Sequence, residues 1–161
     1  MHESIVISIN EQHLYAYDSA GSLVMDCAIA TAKNGSGQLN GSECTPLGSH
    51  RVRAKIGAGQ PSNSVFLGRR TTDEIYSEAL ASEFPQRDWI LTRILWLCGN
   101  ERGLNRGSAV DTQRRYIYIH GAPDSHPMGI PSSHGCVKMH NQDILTLFDI
   151  AHVGLQVQIN E

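Results

Sequence analysis

The chain opens on an alternation. Ile5, Ile7 and Ile9 are apolar at every second position, the period of a half-buried strand. Asn10 and Glu11 make a turn, and His13-Leu14-Tyr15-Ala16-Tyr17 returns as a second strand. The cluster Asp18-Ser19-Ala20-Gly21-Ser22 turns the chain again, into a third strand from Leu23 to Thr31. This pattern predicts a β-meander. Residues 32–46, AKNGSGQLNGSECTP, have no period and are rich in Gly, Ser and Asn, so they form a loop. A loop of that length in a compact domain usually has a functional reason. Leu47 to Ile56 reads as a strand whose polar face carries Arg51, Arg53 and Lys55.

Glu74 to Ser82 predicts a short helix. Asp88 to Leu97 is apolar almost throughout and fits a buried strand or a helix, with its β-branched and aromatic content favouring the strand. Arg115 to His120 predicts a strand with Tyr116, Tyr118 and His120 on one face and Ile117 and Ile119 on the other. Asn141 is a good N-cap for a helix in which Ile144, Leu147, Phe148 and Ala151 form an apolar stripe. Gly154 is its C-cap candidate, and Leu155 to Ile159 is the last strand. The expected fold class is mainly β, with one helix in the C-terminal half and one or two short ones.

Composition narrows the class. With 161 residues and no linker or repeat, the chain reads as a single domain over residues 1–161. A content of 40% hydrophobic and 18% charged residues excludes a disordered tail. A net charge of −3 argues against a nucleic-acid partner. Glu3 comes early and the first apolar stretch is only Ile5-Val6-Ile7, which does not make a secretory leader. No stretch reaches the roughly 20 apolar residues of a membrane helix. The expected location is therefore cytoplasmic, with the periplasm as the alternative. The four cysteines, Cys27, Cys44, Cys98 and Cys136, show no disulfide framework and no C-x-x-C, so no structural zinc, other metal or cofactor is expected.

The segment HGAPDSHPMGIPSSHGCVKMH, residues 120–140, gathers the chemistry. A thiol nucleophile needs a base within hydrogen-bond reach and donors for the oxyanion it creates. His120 ends a rigid strand, and the loop from Gly121 to His134 is long enough to bring Cys136 back beside it. Gly135 lets the backbone turn sharply before the cysteine. The histidine and cysteine spacings match no common closed zinc site. A packing-only reading makes Cys136 a buried structural thiol. It accounts poorly for Ser133-His134-Gly135-Cys136 lying between a strand and a capped helix.

Those four residues, preceded by His120-Gly121, resemble the active-site signature of the YkuD-type L,D-transpeptidase catalytic domain family. Thr45-Pro46-Leu47-Gly48 resembles that family's threonine-proline-x-glycine turn, and the meander at the start and the helix-glycine-strand ending are similar to it too. The resemblance covers nearly the whole chain. It implies a YkuD-like β-sandwich or open barrel, and a cysteine enzyme acting on the bond between meso-diaminopimelate and D-alanine in murein tetrapeptides. It implies Cys136 as nucleophile, His120 as general base and the Gly121 carbonyl as the group orienting the imidazole. It implies the amides of Gly135 and Cys136 as oxyanion hole, lined by His134 and preceded by Ser133. The family usually carries Arg or Asn where this chain has Lys138, which keeps the charge and loses the planar fork. Carbapenem acylation is implied as well.

A cytosolic member would meet soluble muropeptides, so L,D-carboxypeptidase activity in murein recycling is the expected function. The alternatives are an L,D-transpeptidase forming 3–3 cross-links and a non-catalytic murein-peptide binding module. A muropeptide is the expected partner, with no nucleic acid and no membrane. His126 and His140 read as surface residues, and Tyr116 and Tyr118 as core or groove wall. Arg69-Arg70 and Arg114-Arg115 read as solvated charges, any one of them available to a substrate carboxylate.

Overall fold

The computed structural model describes residues 3–161. Its ten strands form one strongly curled sheet. The predicted meander is present as β1 (Ser4–Ser8), β2 (His13–Tyr17) and β3 (Leu23–Ala28), joined antiparallel. The last strand, β10 (Gln156–Asn160), lies parallel beside β1 and antiparallel to β4 (Gly48–Ile56). The ambiguous apolar stretch is a strand, β7 (Ile90–Gly99). A ten-residue strand buried on both faces needs no polar alternation, which is why periodicity alone leaves it open.

β7 is the hub. It pairs with β4 along its second half and with β5 (Ser64–Leu67) at its start; β5 forms a hairpin with β6 (Arg70–Ile75). β8 (Tyr118–Ala122) also runs antiparallel to β7, and β9 (Val137–His140) runs parallel to β8. The curl then closes, because Ala30 exchanges two 2.9 Å backbone hydrogen bonds with Lys138 of β9. The main core fills the concave side with Ile5, Ile7, Leu14, Leu95, Leu97, Ile119, Val137, Met139 and Val157, all essentially inaccessible to solvent. The helix α2 (Asn141–Ile150) covers β7, β8 and β9, burying Ile144, Leu147 and Phe148 from its predicted stripe.

Four local expectations are corrected. The short helix is α1 (Glu78–Glu83), capped by the Ser77 side chain; Glu74 belongs to β6, where it accepts hydrogen bonds from Arg87 and Thr72. The strand expected from Arg115 to His120 runs instead from Tyr118 to Ala122, so His120 lies at its centre and not at its end. Tyr116 sits in the left-handed region at φ 56°, in a turn that frees the Arg115 guanidinium to bond the 32–46 loop. Asn141 is not the N-cap: His140 occupies that position, and Asn141 is buried in the first turn, with its amide nitrogen donating to Asn63 and Asp124. Gly154, at φ 94°, shapes the turn into β10, while the helix already ends at Ala151. Among the described residues no helix is long and apolar enough to cross a membrane.

One buried histidine couples this fold to pH. His50 is inaccessible to solvent in β4, with Nδ1 3.0 Å from the Gly48 carbonyl and Nε2 3.0 Å from Thr112 Oγ1. Burial pushes it down to about 4 from its ordinary 6.5. Between those values the unfolded chain holds the proton and the folded one does not, so stability is present above pH 6.5 and drains away as pH falls towards 4. The full window corresponds to about 3 kcal/mol. Urea unfolding at pH 7.5 and 4.5 should show this loss, and His50→Gln should reduce it. His120, shifted in the same direction, retains the remainder.

Candidate active site

The register of two strands builds the site. In the parallel pair β8·β9, Ile119 lies opposite Val137 and His120 opposite Lys138. Side chains two apart on a strand share a face. Ile119 and Val137 therefore point into the core, while Tyr118, His120, Cys136 and Lys138 face the other way. Those four line one cavity of about 440 Å³, together with Gly68, Arg69, Asp88, Ile90, Tyr116, Ser133 and His134.

His120 is 1% exposed, and its Nδ1 is 2.6 Å from the Gly121 carbonyl oxygen. A carbonyl accepts only, so Nδ1 carries the hydrogen and Nε2 is left as the basic nitrogen. Burial holds the imidazole below its ordinary value; the Gly121 contact and Asp88 oppose this shift, and Lys138 adds to it. Gly121 has no room for a side chain. A Cβ there would meet the Leu91 carbonyl and Asn141 Oδ1, each at 2.6 Å.

Cys136 is partly exposed at the cavity floor. Its Sγ donates to the Tyr116 carbonyl at 3.4 Å and accepts from the Tyr118 amide at 3.3 Å. Desolvation pushes the thiol up to about 12, against the lowering effects of the Tyr118 amide, Arg115 and Lys138. At neutral pH the cavity thus holds a neutral thiol and a neutral imidazole. The thiol bonds to backbone rather than to the imidazole, and such contacts commonly tighten only when an acyl donor is seated.

The turn before the cysteine is held from several sides. Gly135 has φ 134°, and a Cβ there would press on Ile117 Cδ1 and the Cys44 carbonyl. Thr45 Oγ1 donates to the Gly135 carbonyl at 2.9 Å and accepts from the Ala32 amide at 3.0 Å, which ties the Thr45-Pro46-Leu47-Gly48 turn to the thiol. Arg115 donates to the carbonyls of Gly37, Gln38 and Cys44 and to Ser42 Oγ, so it anchors the 32–46 loop and is not a solvated charge. Ser133 Oγ donates to the Cys136 carbonyl at 2.5 Å and accepts from the Gly135 amide at 3.1 Å. Of the two amides expected as oxyanion donors, the Gly135 N–H is thus already bonded within the turn.

The remaining sequence candidates separate. His134 is exposed at the rim, 3.8 Å from Glu43 Oε2. Lys138 is 8% exposed beside His120, and burial holds its ammonium below the usual lysine range despite Asp88. His126 lines a different cavity, with Tyr76, Glu78, Arg87 and Trp89. Sequence reasoning gives no role to Asp88 and no specific role to Arg69. Both arrive from distant segments, and only the Gly68-Arg69 pair after the short apolar run Val65-Phe66-Leu67 hints at a hairpin tip. No cluster of three or more metal-ligating side chains occurs among the described residues. The chemistry on offer is a thiol, a fixed neutral base and a backbone donor, which suits acyl transfer.

Comparison with known proteins is consistent with that chemistry. The family model for the YkuD L,D-transpeptidase catalytic domain matches residues 2–159. No curated protein matches in sequence. The fold is similar to a cysteine-to-serine mutant of an Enterococcus faecium L,D-transpeptidase, at 14% identity and a TM-score of 0.61, covering 99% of this chain and 50% of that one. It is also similar to L,D-transpeptidase 3 from Mycobacterium tuberculosis bound to a faropenem-derived adduct, at 16% identity and a TM-score of 0.59, covering 99% of this chain and 60% of that one. An L,D-transpeptidase from Xylanimonas cellulosilytica gives 19% identity and a TM-score of 0.55, covering 98% of this chain and 60% of that one. The chain thus spans half to three-fifths of the length of these structures.

Proposed function

Because the chain belongs to the YkuD L,D-transpeptidase catalytic domain family, we propose that it is an L,D-carboxypeptidase, releasing D-alanine from the diaminopimelate of murein tetrapeptides. Cys136 is the nucleophile and His120 the general base. The observation that carries this reading is the imidazole fixed through Nδ1 by Gly121 in the same cavity as the thiol. Nε2 takes the thiol proton as Sγ bonds to the diaminopimelate carbonyl carbon. The Cys136 amide stabilises the oxyanion. His120 returns the proton to the D-alanine nitrogen as the C–N bond breaks. Water then attacks the thioester, giving up a proton to His120, and the tripeptide carboxylate leaves as the thiol re-forms.

Hydrolysis is the reading favoured by the polar groups in the cavity with the thiol, where Asp88, Lys138 and His134 line the space that a water would enter. The soluble muropeptides of murein recycling fit it, in the cytoplasm. One observation favours cross-linking as a second reading. A more apolar cavity of about 450 Å³, lined by Val65, Phe66, Leu67 and Trp89, adjoins the first through Gly68, Asp88 and Ile90, and has room for an acceptor stem. Mass spectrometry of a purified tetrapeptide incubated with and without an amine acceptor separates the two. Tripeptide alone in both arms supports hydrolysis, a cross-linked product supports transfer, and intact tetrapeptide in both overturns the proposal.

The neutral pair has its own signature. An ordinary thiol near 8.5 is a few per cent thiolate at pH 7, whereas one near 12 is about a thousandfold less ionised. Alkylation of Cys136 by iodoacetamide, mapped by peptide mass, should be slow at pH 7. It should rise about tenfold per pH unit through pH 9 without a plateau. A plateau beginning below pH 7 would instead mean a standing thiolate–imidazolium pair.

A further inference from the structure

Arg69 sits where a hairpin tip should not need it. The two residues linking β5 to β6 are Gly68 and Arg69, at φ 56° and 64°, both left-handed. That is the turn in which Asn and Gly are at home and a long side chain is not. Nearby Leu67 points out at 76% exposure, yet Arg69 folds back over the active-site cavity. Its guanidinium lies 4.8 Å from the ring centroids of both Trp96 and Tyr116, and Nη1 donates to Tyr118 Oη at 2.9 Å. Every one of these partners is neutral, and Arg69 takes part in no ion pair among the described residues. A guanidinium oriented by aromatic faces, with its fork otherwise free and no counter-ion, is built to receive an anion from outside. Lys138 differs, since Asp88 shares its end of the cavity.

The strand register says which part of a substrate reaches it. Trp96 pairs with Tyr118, and Ile94 pairs with His120, the next pair on the same face. Arg69 stacks on Trp96 and Tyr116, so it marks the end of the cavity away from His120, with the two rows separated by roughly 7 Å. His120 must protonate the departing amine, which puts the leaving group at its own end. The acyl residue's side chain is thereby directed towards Arg69. We propose that Arg69 is the specificity-determining residue for the acyl donor, binding the carboxylate at the far end of the diaminopimelate side chain and so discriminating against lysine at that position. This rests on the reading of the substrate given under Proposed function.

The test is calorimetric binding to protein carrying Cys136→Ala, which removes turnover from the measurement. The ligands are two tripeptides, L-alanyl-γ-D-glutamyl-diaminopimelate and the same peptide ending in lysine, which lacks only the distal carboxylate. Losing a charge-assisted contact of this kind corresponds to roughly ten- to a hundredfold in affinity. The Cys136→Ala protein should prefer the diaminopimelate peptide by that factor. Adding Arg69→Asn, the residue type the turn itself prefers, should keep or raise the melting temperature and erase the preference. Arg69→Lys should keep part of it. If Arg69→Asn weakens both peptides equally and leaves the preference intact, Arg69 only staples the hairpin and the proposal falls. Equal binding of both peptides by the Cys136→Ala protein also overturns it while leaving the functional reading standing. Failure to bind either peptide counts against both.

Discussion

Cys136→Ala is expected to lower D-alanine release by at least about 10⁴-fold, because the whole acyl-transfer route passes through one sulfur. The loss should be in kcat, with the substrate still bound by the rest of the cavity. The fold should survive at a cost. Sγ is the acceptor for the Tyr118 amide, and Tyr118 is only 4% exposed, so alanine leaves a buried N–H unpaired. That corresponds to about 1–3 kcal/mol. Cys136→Ser restores an oxygen acceptor and should recover much of the stability with none of the turnover. Intact-mass measurement gives a second readout: a carbapenem should add one molecule to the native protein and none to either variant. An adduct that survives both substitutions would move the reactive group elsewhere, and Cys44, partly exposed in its polar loop, would be the first place to look. D-alanine release at native rate from Cys136→Ala would end the proposed mechanism.

His120→Gln is expected to cost about 10²–10⁴-fold in acylation, the usual worth of a positioned base. The double variant with Cys136→Ala should be no worse than the cysteine change alone, since base and nucleophile act as a unit. The pH profile separates a base from a structural residue. Burial lowers the His120 pKa, so the imidazole stays neutral, and the enzyme active, to below pH 6.5, with activity falling only at more acid pH. His120→Gln should remove this acid limb. Iodoacetamide alkylation of Cys136, which needs no base, should change far less than peptide cleavage does. Parallel losses in both reactions would mean that His120 merely supports the cavity.

Much of this site is legible in the residue pattern, for a physical reason. His120, Gly121, Ser133, Gly135 and Cys136 lie within one short stretch, and the backbone constrains it locally: a buried mid-strand position, a glycine with no room for Cβ, a turn at φ 134°. Local constraint leaves a local trace. The meander, the final strand and the apolar stripe of α2 are legible in the same way, because period two and period 3.6 are set by which face meets the core.

The mainly β class and the thiol and imidazole proposed as nucleophile and base are thus legible in the chain locally. Everything else about the site depends on contacts between segments far apart in sequence, and those exist only once the chain has folded. β7 is favoured as a strand by its β-branched and aromatic residues, and its pairing with β4, β5 and β8 decides it. β8 begins at Tyr118 and not Arg115 because the Arg115 guanidinium reaches four partners between Gly37 and Cys44. Asn141 lies inside the helix and not at its cap because its amide meets Asn63 and Asp124, a pairing that no helix-capping rule contains. The Gly135 carbonyl is held by Thr45 Oγ1, 90 positions earlier in the chain. Arg69 enters the cavity only because a left-handed hairpin tip folds it between Trp96 and Tyr116, residues 27 and 47 positions further along the chain. Nothing in the local pattern around Arg69 reports those two rings, and it is their faces that turn a surface charge into part of the site.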